Sequence, residues 1–533
     1  MKDGFRQQMA WLHTWCGLTA GWLLCAIFLT GTLAVFRQPI TQWMEARPVV
    51  RHVQTPAAGD RAVVLRAAVA HLAAHAGKAR FWRIELPDEH GGPVLLVWQG
   101  GGQAALDAGT GAPLAGAQAT SRKTEGGRHF MSFHYMLQAD TVGYWLVGWA
   151  SMCMLVALVS GVVVHRRIFQ DFFTFRPGKG QRSWLDAHNV TAVLALPFLF
   201  MIVYTGLAFF YTSYMPWPLQ AVYGHDGYPR YQSELDGKAA ARTPRSAADS
   251  GPARMQNPAP LVASVTSVAL VQFVPRAEAL MDRPARRVLV EQPGRPGMVV
   301  RVFGPADDAR AQTIANTQSS VAFDGATGAV MEVNTPRMDA PTTSADVHEV
   351  LKALHLARFG GWPMKWLYFV GGLMGTAMMA TGTILFCVKR RKKSAQEFGR
   401  ATAGVYRVVE ALNVASIAGI ALACIAYFYA NRVMPAELPG RALWEIRAFL
   451  WVWLATLLHA LARPPARAWI EQLAAAAALC LLLPLLNWLT TGQQLVGYAL
   501  AGDWQRAGVE LVALAFGVAL AVMARRVSAQ VTP

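Results

Sequence analysis

Charge is scarce in this sequence. Only 15% of its 533 residues are Asp, Glu, Lys or Arg, against about 25% in soluble globular domains. With 54% hydrophobic residues, the chain cannot be a domain solvated on every side. Cysteine is thin as well: Cys16, Cys25, Cys153, Cys387, Cys424 and Cys480 each fall in an apolar run, and no two are spaced C-x-x-C. This excludes a thiol redox pair and a cysteine-type zinc site. The absence of C-x-x-C-H excludes the usual covalent haem attachment, so the cysteines read as small apolar packing residues. No dinucleotide-binding glycine signature with its following acidic residue is present, so direct NAD(P)H binding is not expected. Carboxylates at the centre of the apolar runs, which a proton relay would need, are also missing from this reading.

What is present is apolar sequence in blocks. Runs of about 20 apolar residues read as transmembrane helices. Eight occur, at roughly 15–36, 143–164, 189–212, 366–388, 410–430, 443–462, 468–489 and 507–524. The first follows Lys2 and Arg6 but is too long for a signal-peptide core and ends at Val35–Phe36–Arg37 without an Ala-x-Ala site, so it reads as a retained anchor. The net charge of +17 is not spread evenly. Arg166, Arg167, Arg176, Lys179 and Arg182 follow the second run, Lys389–Lys393 the fourth, Arg463 and Arg467 the sixth, and Arg525 and Arg526 the eighth. The positive-inside rule places all of these, and both termini, in the cytoplasm. A nucleic-acid patch at Lys389–Lys393 is the weaker reading.

Two polar stretches, 37–142 and 213–361, then lie outside, each long enough to hold a small domain. Both carry short alternating apolar runs broken by Gly and Pro, the pattern of strands and hairpins. "LDAGTGAPL" in the first matches "FDGATGAVM" in the second. Asp107 and Asp324 are expected to close the turn through their side chains, with Gly111 and Gly328 supplying positive φ. Residues 236–258 read as a polar linker. The remaining organisation is a first helix at 1–36, helices two and three with a basic loop at 143–212, a fourth helix at 362–393 and a four-helix extension at 394–533. That extension is bland, with His459 its one histidine.

Histidines mark the helix ends. His13, His165 and His188 lie at the cytoplasmic ends of the first three helices; His134 and His355 precede the second and fourth on the outer side. A single histidine there is readily a headgroup-level residue. The set offers two imidazoles on different helices at each surface, which a bis-histidine haem requires. Zinc would want three or four ligands close together, and Asp186 with His188 is too sparse. If His134 and His165 sat on one continuous helix they would be about 46 Å apart, a long gap for electrons. Gly17, Gly21, Gly31, Gly371, Gly372, Gly375 and Gly382 suit close helix or cofactor packing. Several outer arginines (Arg80, Arg83, Arg122, Arg128, Arg286, Arg287, Arg358) read as a solvated basic face, with attraction of an anionic ligand the weaker reading.

The segments "WLHTWCGLTAGWLLCAIFLTGTLAVF", "FHYMLQ…GYWLVGWASMCMLVALVSGVVVHRRIFQDFFTFRP", "WLDAHNVTAVLALPFLFMIVYTGL" and "LHLARFGGWPMKWLYFVGGLMGTAMMATGTILFCVKRRKK" together resemble the PepSY-associated transmembrane proteins, often called iron-regulated membrane proteins. The resemblance covers about residues 5–395. It implies an α-helical integral protein of the bacterial inner membrane with two small α+β PepSY-like domains in the periplasm. It further implies two b-type haems: His134 and His355 match the outer ligand pair, and two of His13, His165 and His188 the inner one. The expected activity is reduction of a ferric siderophore or other ferric chelate outside the cytoplasm, fed by a separate donor, a quinol or a cytoplasmic reductant. Two alternatives stay open: a non-enzymatic PepSY scaffold for a periplasmic partner, and a transporter of an iron complex, for which Pro197 and Pro484 are the candidate helix breaks.

Overall fold

The computed structural model describes residues 3–46, 58–87, 93–99, 102–114, 122–165, 176, 178–224, 227, 230–231, 259–305, 319–335, 344–398 and 402–531. Arg166, Arg167 and the linker at 236–258 lie outside the described residues. The chain divides into two compact units, one made of Met1–Val49, Thr120–Leu207 and Trp362–Pro533, the other of Val50–Ala119 and Ala208–Gly361.

The first unit holds the long apolar helices. Among the described residues eight helices are long and apolar enough to cross a membrane, so this is a multi-pass membrane protein. Helices α1 (Asp3–Ala34), α5 (Asp140–Val164), α6 (Gln181–Phe209) and α9 (Gly361–Phe398) share one core of Ala20, Leu24, Phe28, Val147, Met154, Leu199 and Met378. The four C-terminal spans are α10 (Ala403–Val433), α11 (Arg441–Ala462), α12 (Pro465–Thr491) and α13 (Trp504–Val531). Helix α10 contains a π turn at Ala415–Gly419, and Trp453 Nε1 donates to the Ala415 carbonyl at 3.0 Å.

Two short helices expected in the first outer domain belong instead to this membrane unit. They are α2 (Arg37–Glu45) and α4 (Arg128–Met136). Ile40, Trp43, Met44, Phe130 and Phe133 are buried in the same cluster as residues of α10 to α13 and as Ala26 and Leu29 of α1. Their ring faces explain the capture: Phe130 and Phe133 meet Tyr427, Phe428, Phe449 and Trp453 at centroid distances of 5.1–6.0 Å.

The second unit is a seven-stranded antiparallel sheet ordered β3-β2-β1-β4-β5-β6-β7. The first polar stretch supplies helix α3 (Ala58–Ala76) and strands β1 (Phe81–Glu85), β2 (Val94–Trp98) and β3 (Gly102–Leu106). The second supplies α7 (Ala259–Met281), β4 (Arg287–Glu291), β5 (Val299–Phe303), β6 (Ser320–Asp324), β7 (Val330–Asn334) and α8 (Ser344–Leu356). The two repeats therefore share one sheet. Strand β1 pairs β4 antiparallel, Phe81 opposite Glu291, Arg83 opposite Leu289 and Glu85 opposite Arg287. Because β1 and β4 hold equivalent places in their repeats, this register is an approximate two-fold through Arg83 and Leu289. An unpaired strand edge exposes backbone donors and acceptors; each repeat covers the other's. Alternating burial puts Trp82, Ile84, Val288, Val290, Val300 and Val302 on one face, in one core with Leu65, Val69 and Leu72 of α3 and Phe273 and Val274 of α7.

The repeated turns form as their sequence dictates. Asp107 Oδ1 accepts from the N–H groups of Gly109 and Thr110 and from Thr110 Oγ1. Asp324 Oδ1 does the same with Ala326 and Thr327. Gly111 and Gly328 sit at φ 71° and 70°. These bonds hold both carboxyls below the usual carboxylate range.

Candidate functional site

Three histidines of the membrane unit are held in the same way. His13 Nδ1 lies 2.8 Å from the Ala157 carbonyl oxygen of α5. His134 Nδ1 lies 2.8 Å from that of Ile27 on α1, and His188 Nδ1 2.8 Å from that of Met378 on α9. A carbonyl oxygen only accepts, so each Nδ1 carries the proton and each Nε2 keeps its lone pair. Fixing one ring nitrogen by a backbone carbonyl is how proteins orient a metal-binding imidazole.

Each ring also rests on a glycine one helical turn beyond its carbonyl. A Cβ on Gly161 would stand 3.1 Å from His13 Cε1, one on Gly31 2.5 Å from His134 Nδ1, and one on Gly382 3.0 Å from His188 Cε1. The spacing has a physical cause. In an α-helix Cβ leans toward the N-terminus, so the side chain at n+4 shields the carbonyl of residue n. Glycine at n+4 opens that carbonyl to a second donor from a neighbouring helix. The pairs Ile27/Gly31, Ala157/Gly161 and Met378/Gly382 are three instances of one device. Four other glycines serve helix packing: a Cβ on Gly371 would meet Phe198, on Gly372 Thr32, on Gly375 Phe28 and Leu199, and on Gly21 Thr383, whereas a Cβ on Gly17 would meet nothing within 4 Å, so the close packing expected there is not found.

His13 and His188 come together. Their ring centroids are 6.2 Å apart with the planes at 67°. Two imidazoles on opposite sides of one metal, each with a bond of about 2.0 Å, would have centroids about 6.3 Å apart. The spacing, the tautomers and the two glycine seats fit an axially ligated haem. His165 caps α5, its N–H bonded to the Gly161 carbonyl at 3.0 Å, and stands close enough to His188 to interact with it electrostatically.

His134 belongs to a second level. Its helix α4 is not continuous with α5: Leu137, Gln138 and Asp140 adopt φ of 53°, 54° and 44°, turning the chain between them. The 46 Å expected of a continuous helix therefore does not apply. His134 instead reaches α1 at Ile27, 14 residues beyond His13, a rise of about 21 Å. The α4 N-terminus is clamped to α2, since the Gly127 N–H bonds Thr41 Oγ1 at 2.9 Å and a Cβ on Gly127 would fall 2.3 Å from the Arg37 backbone. His355 lies on α8 in the other unit, its ring centroid 6.3 Å from that of Phe209. His348 of the same helix stands 6.2 Å from that ring and 5.4 Å from Tyr211.

Sequence reading missed several buried polar groups. His129 of α4 is buried against Tyr427 and Phe449. Its Nδ1 pairs with Gln138 Nε2 at 3.0 Å, and its Nε2 has no hydrogen-bond partner among the described residues. Burial pushes its pKa down to about 3, so it is neutral. The four C-terminal spans are not bland: Arg432, Arg441, Glu445, Asn487 and Glu510 are all buried. Arg432 donates to Asn487 Oδ1 at 2.8 Å and to the Trp43 carbonyl at 2.6 Å, with its guanidinium 3.7 Å from the Trp43 ring centre. Glu510 accepts from Trp43 Nε1 at 3.0 Å and Asn487 Nδ2 at 2.7 Å. Arg441 pairs with Glu445, which also accepts from Asn431 and Thr124. Glu445 and Glu510 lie near the starts of α11 and α13, and Glu510 meets Trp43 of α2. Arg122, expected on a basic outer face, instead donates to the carbonyls of Asn431, Arg432 and Met434 at the end of α10. Among the described residues no group of three or more His, Cys, Asp and Glu is placed to hold a metal ion; a haem iron takes only two protein ligands.

The family model described as the PepSY-associated TM region matches residues 10–389, and the chain belongs to that family. No curated protein matches it significantly.

Proposed function

We propose that this PepSY-associated membrane protein is a di-haem electron conduit that delivers electrons to a ferric siderophore or similar ferric chelate on the periplasmic face of the inner membrane. The observation that carries the reading is the repeated seat: a helix-borne imidazole, Nδ1–H given to a carbonyl, glycine beneath the ring, and a tautomer that puts the lone pair on Nε2. His13 and His188 would hold the inner group, and His134 would supply a ligand at the second level; the family resemblance also implies His355 as a haem ligand. A haem iron between two imidazoles supplies one-electron transfer without an open coordination position.

The protein's own part is to fix ring direction and level. The Ala157, Met378 and Ile27 carbonyls set the tautomers. His13 and His188 are half-buried on two of the helices that share the core of α1, α5, α6 and α9. The rise of about 21 Å along α1 between the levels includes Trp22, whose Nε1 donates to Asn413 Oδ1 at 2.7 Å. The basic residues that follow the fourth and eighth spans support a cytoplasmic side for both termini under the positive-inside rule. The electron source is then a quinol or a cytoplasmic reductant.

A reduced-minus-oxidised optical spectrum of the purified chain, with haem quantified per polypeptide, tests this. Two low-spin b-type haems are expected. His13→Ala and His188→Ala should each remove the same one, His134→Ala the other, and His165→Ala neither. A chain with no haem after haem-replete expression would sink the conduit and leave the scaffold or transporter reading.

A further inference from the structure

Helix α3 carries two histidines that the haem reading does not use. His71 and His75 are four residues apart, so they share one helix face. Their ring centroids are 4.2 Å apart with the planes at 22°. The buried face of α3 is Val64, Leu65, Ala68, Val69, Leu72 and Ala76; His71 is half-buried beside it and His75 is exposed. His75 Nδ1 lies 2.9 Å from the His71 carbonyl oxygen, so that nitrogen carries the proton and Nε2 is the free ligand atom.

The flank of the pair is also fixed. The Trp98 indole of β2 stands 6.3 Å from the His71 ring. It is laid against Gly102 so closely that a Cβ there would fall 2.1 Å from it. Trp98 therefore has one place to go, and it walls one side of His71.

We infer that His71 and His75 form a chelating site for a single divalent first-row transition ion, with Cu2+ the tightest. Two nitrogens sharing one ion at about 2.0 Å each stand about 3 Å apart, and ring centroids 4.2 Å apart on one helix face bring both imidazoles within reach of a single ion. Neutral imidazole suits copper, nickel and zinc, and the stability order among divalent ions puts Cu2+ first. Two protein ligands leave further positions open to water or to donor atoms of a small chelate. The site rests on the second unit alone and does not depend on the haem assignment.

The test is a Cu2+ titration of the full-length, tag-free chain in detergent, followed by electron paramagnetic resonance. One equivalent should give a signal with nitrogen coupling. His71→Asn and His75→Asn should each weaken binding by at least the about tenfold seen on losing an outer partner of a metal-bound histidine, with the melting temperature and any haem spectrum unchanged. His75 is exposed, so H75N keeps the fold even if H71N does not. A wild-type signal without nitrogen coupling, or H75N binding Cu2+ as tightly as wild type, would overturn the site.

Discussion

Glycine to alanine in a helix interior ordinarily stabilises, by about 0.5–1 kcal/mol. At Gly31 the opposite is expected. The new Cβ would sit 2.5 Å from His134 Nδ1, and the ring would be pushed off the Ile27 carbonyl, with the loss of a buried hydrogen bond costing about 1–3 kcal/mol. The substitution Gly31→Ala should therefore perturb the haem that depends on His134 and leave the other intact. Gly161→Ala and Gly382→Ala, with contacts of 3.1 and 3.0 Å to ring carbons, should be milder and act on the inner haem. Optical spectra of the three variants check this, and an unchanged spectrum in Gly31→Ala would remove the glycine seat from the account. The histidines and most of these glycines stand out in the sequence, but their pairing does not. Seeing that Gly31 serves His134 needs the turn at Leu137–Asp140. That turn uses left-handed non-glycine residues and no proline, so it leaves no turn signature, and α4 reads only as sequence ahead of the second span.

Turns of the antiparallel sheet were legible for the opposite reason. An Asp, a Thr-Gly and a return strand encode the turn locally, and Asp107 and Asp324 make the side-chain bonds that the sequence implies. Their effect on stability has a definite sign. Both carboxyls titrate lower in the folded state than in the unfolded chain, so the folded state binds fewer protons over that interval. Their contribution is complete above the ordinary carboxylate range and is lost as pH falls through the lowered folded values. Asp107→Asn with Asp324→Asn should flatten the acid limb of unfolding of the sheet unit and alter little at neutral pH. Urea unfolding between pH 3 and about 7, read from the fluorescence of the sheet tryptophans, measures it; an acid limb as steep as wild type would show that other carboxylates set it. What these local signals cannot carry is the pairing of β1 with β4. It joins segments about 200 residues apart, and either repeat read by itself simply ends in an edge strand.

At the scale of the molecule, the eight spans were readable because a bilayer sets their length, whereas the partners of each span were not. Apolar side chains satisfy lipid and protein alike, so hydropathy says nothing of which helices touch. The C-terminal spans could thus pass for an appendage to a four-helix core. The packing says otherwise. Trp43, Met44, Phe130 and Phe133 share a core with α10 to α13, and Arg432 and Glu510 satisfy the Trp43 carbonyl and indole N–H. Lipid can replace the apolar contacts but offers those polar groups nothing, and unsatisfied groups in the bilayer cost several kcal/mol each. A chain ended after Phe398 should therefore lose its hold on α2 and α4, and with them the position of His134. The expected product carries one haem per chain, the one that requires His13 and His188, and its sheet unit still folds. Haem quantification and the reduced-minus-oxidised spectrum of the truncated protein decide it. Two haems at full occupancy would mean that α4 is held by α1 alone, through the Ile27 carbonyl and the Gly31 seat, and that the C-terminal helices are dispensable to the outer site.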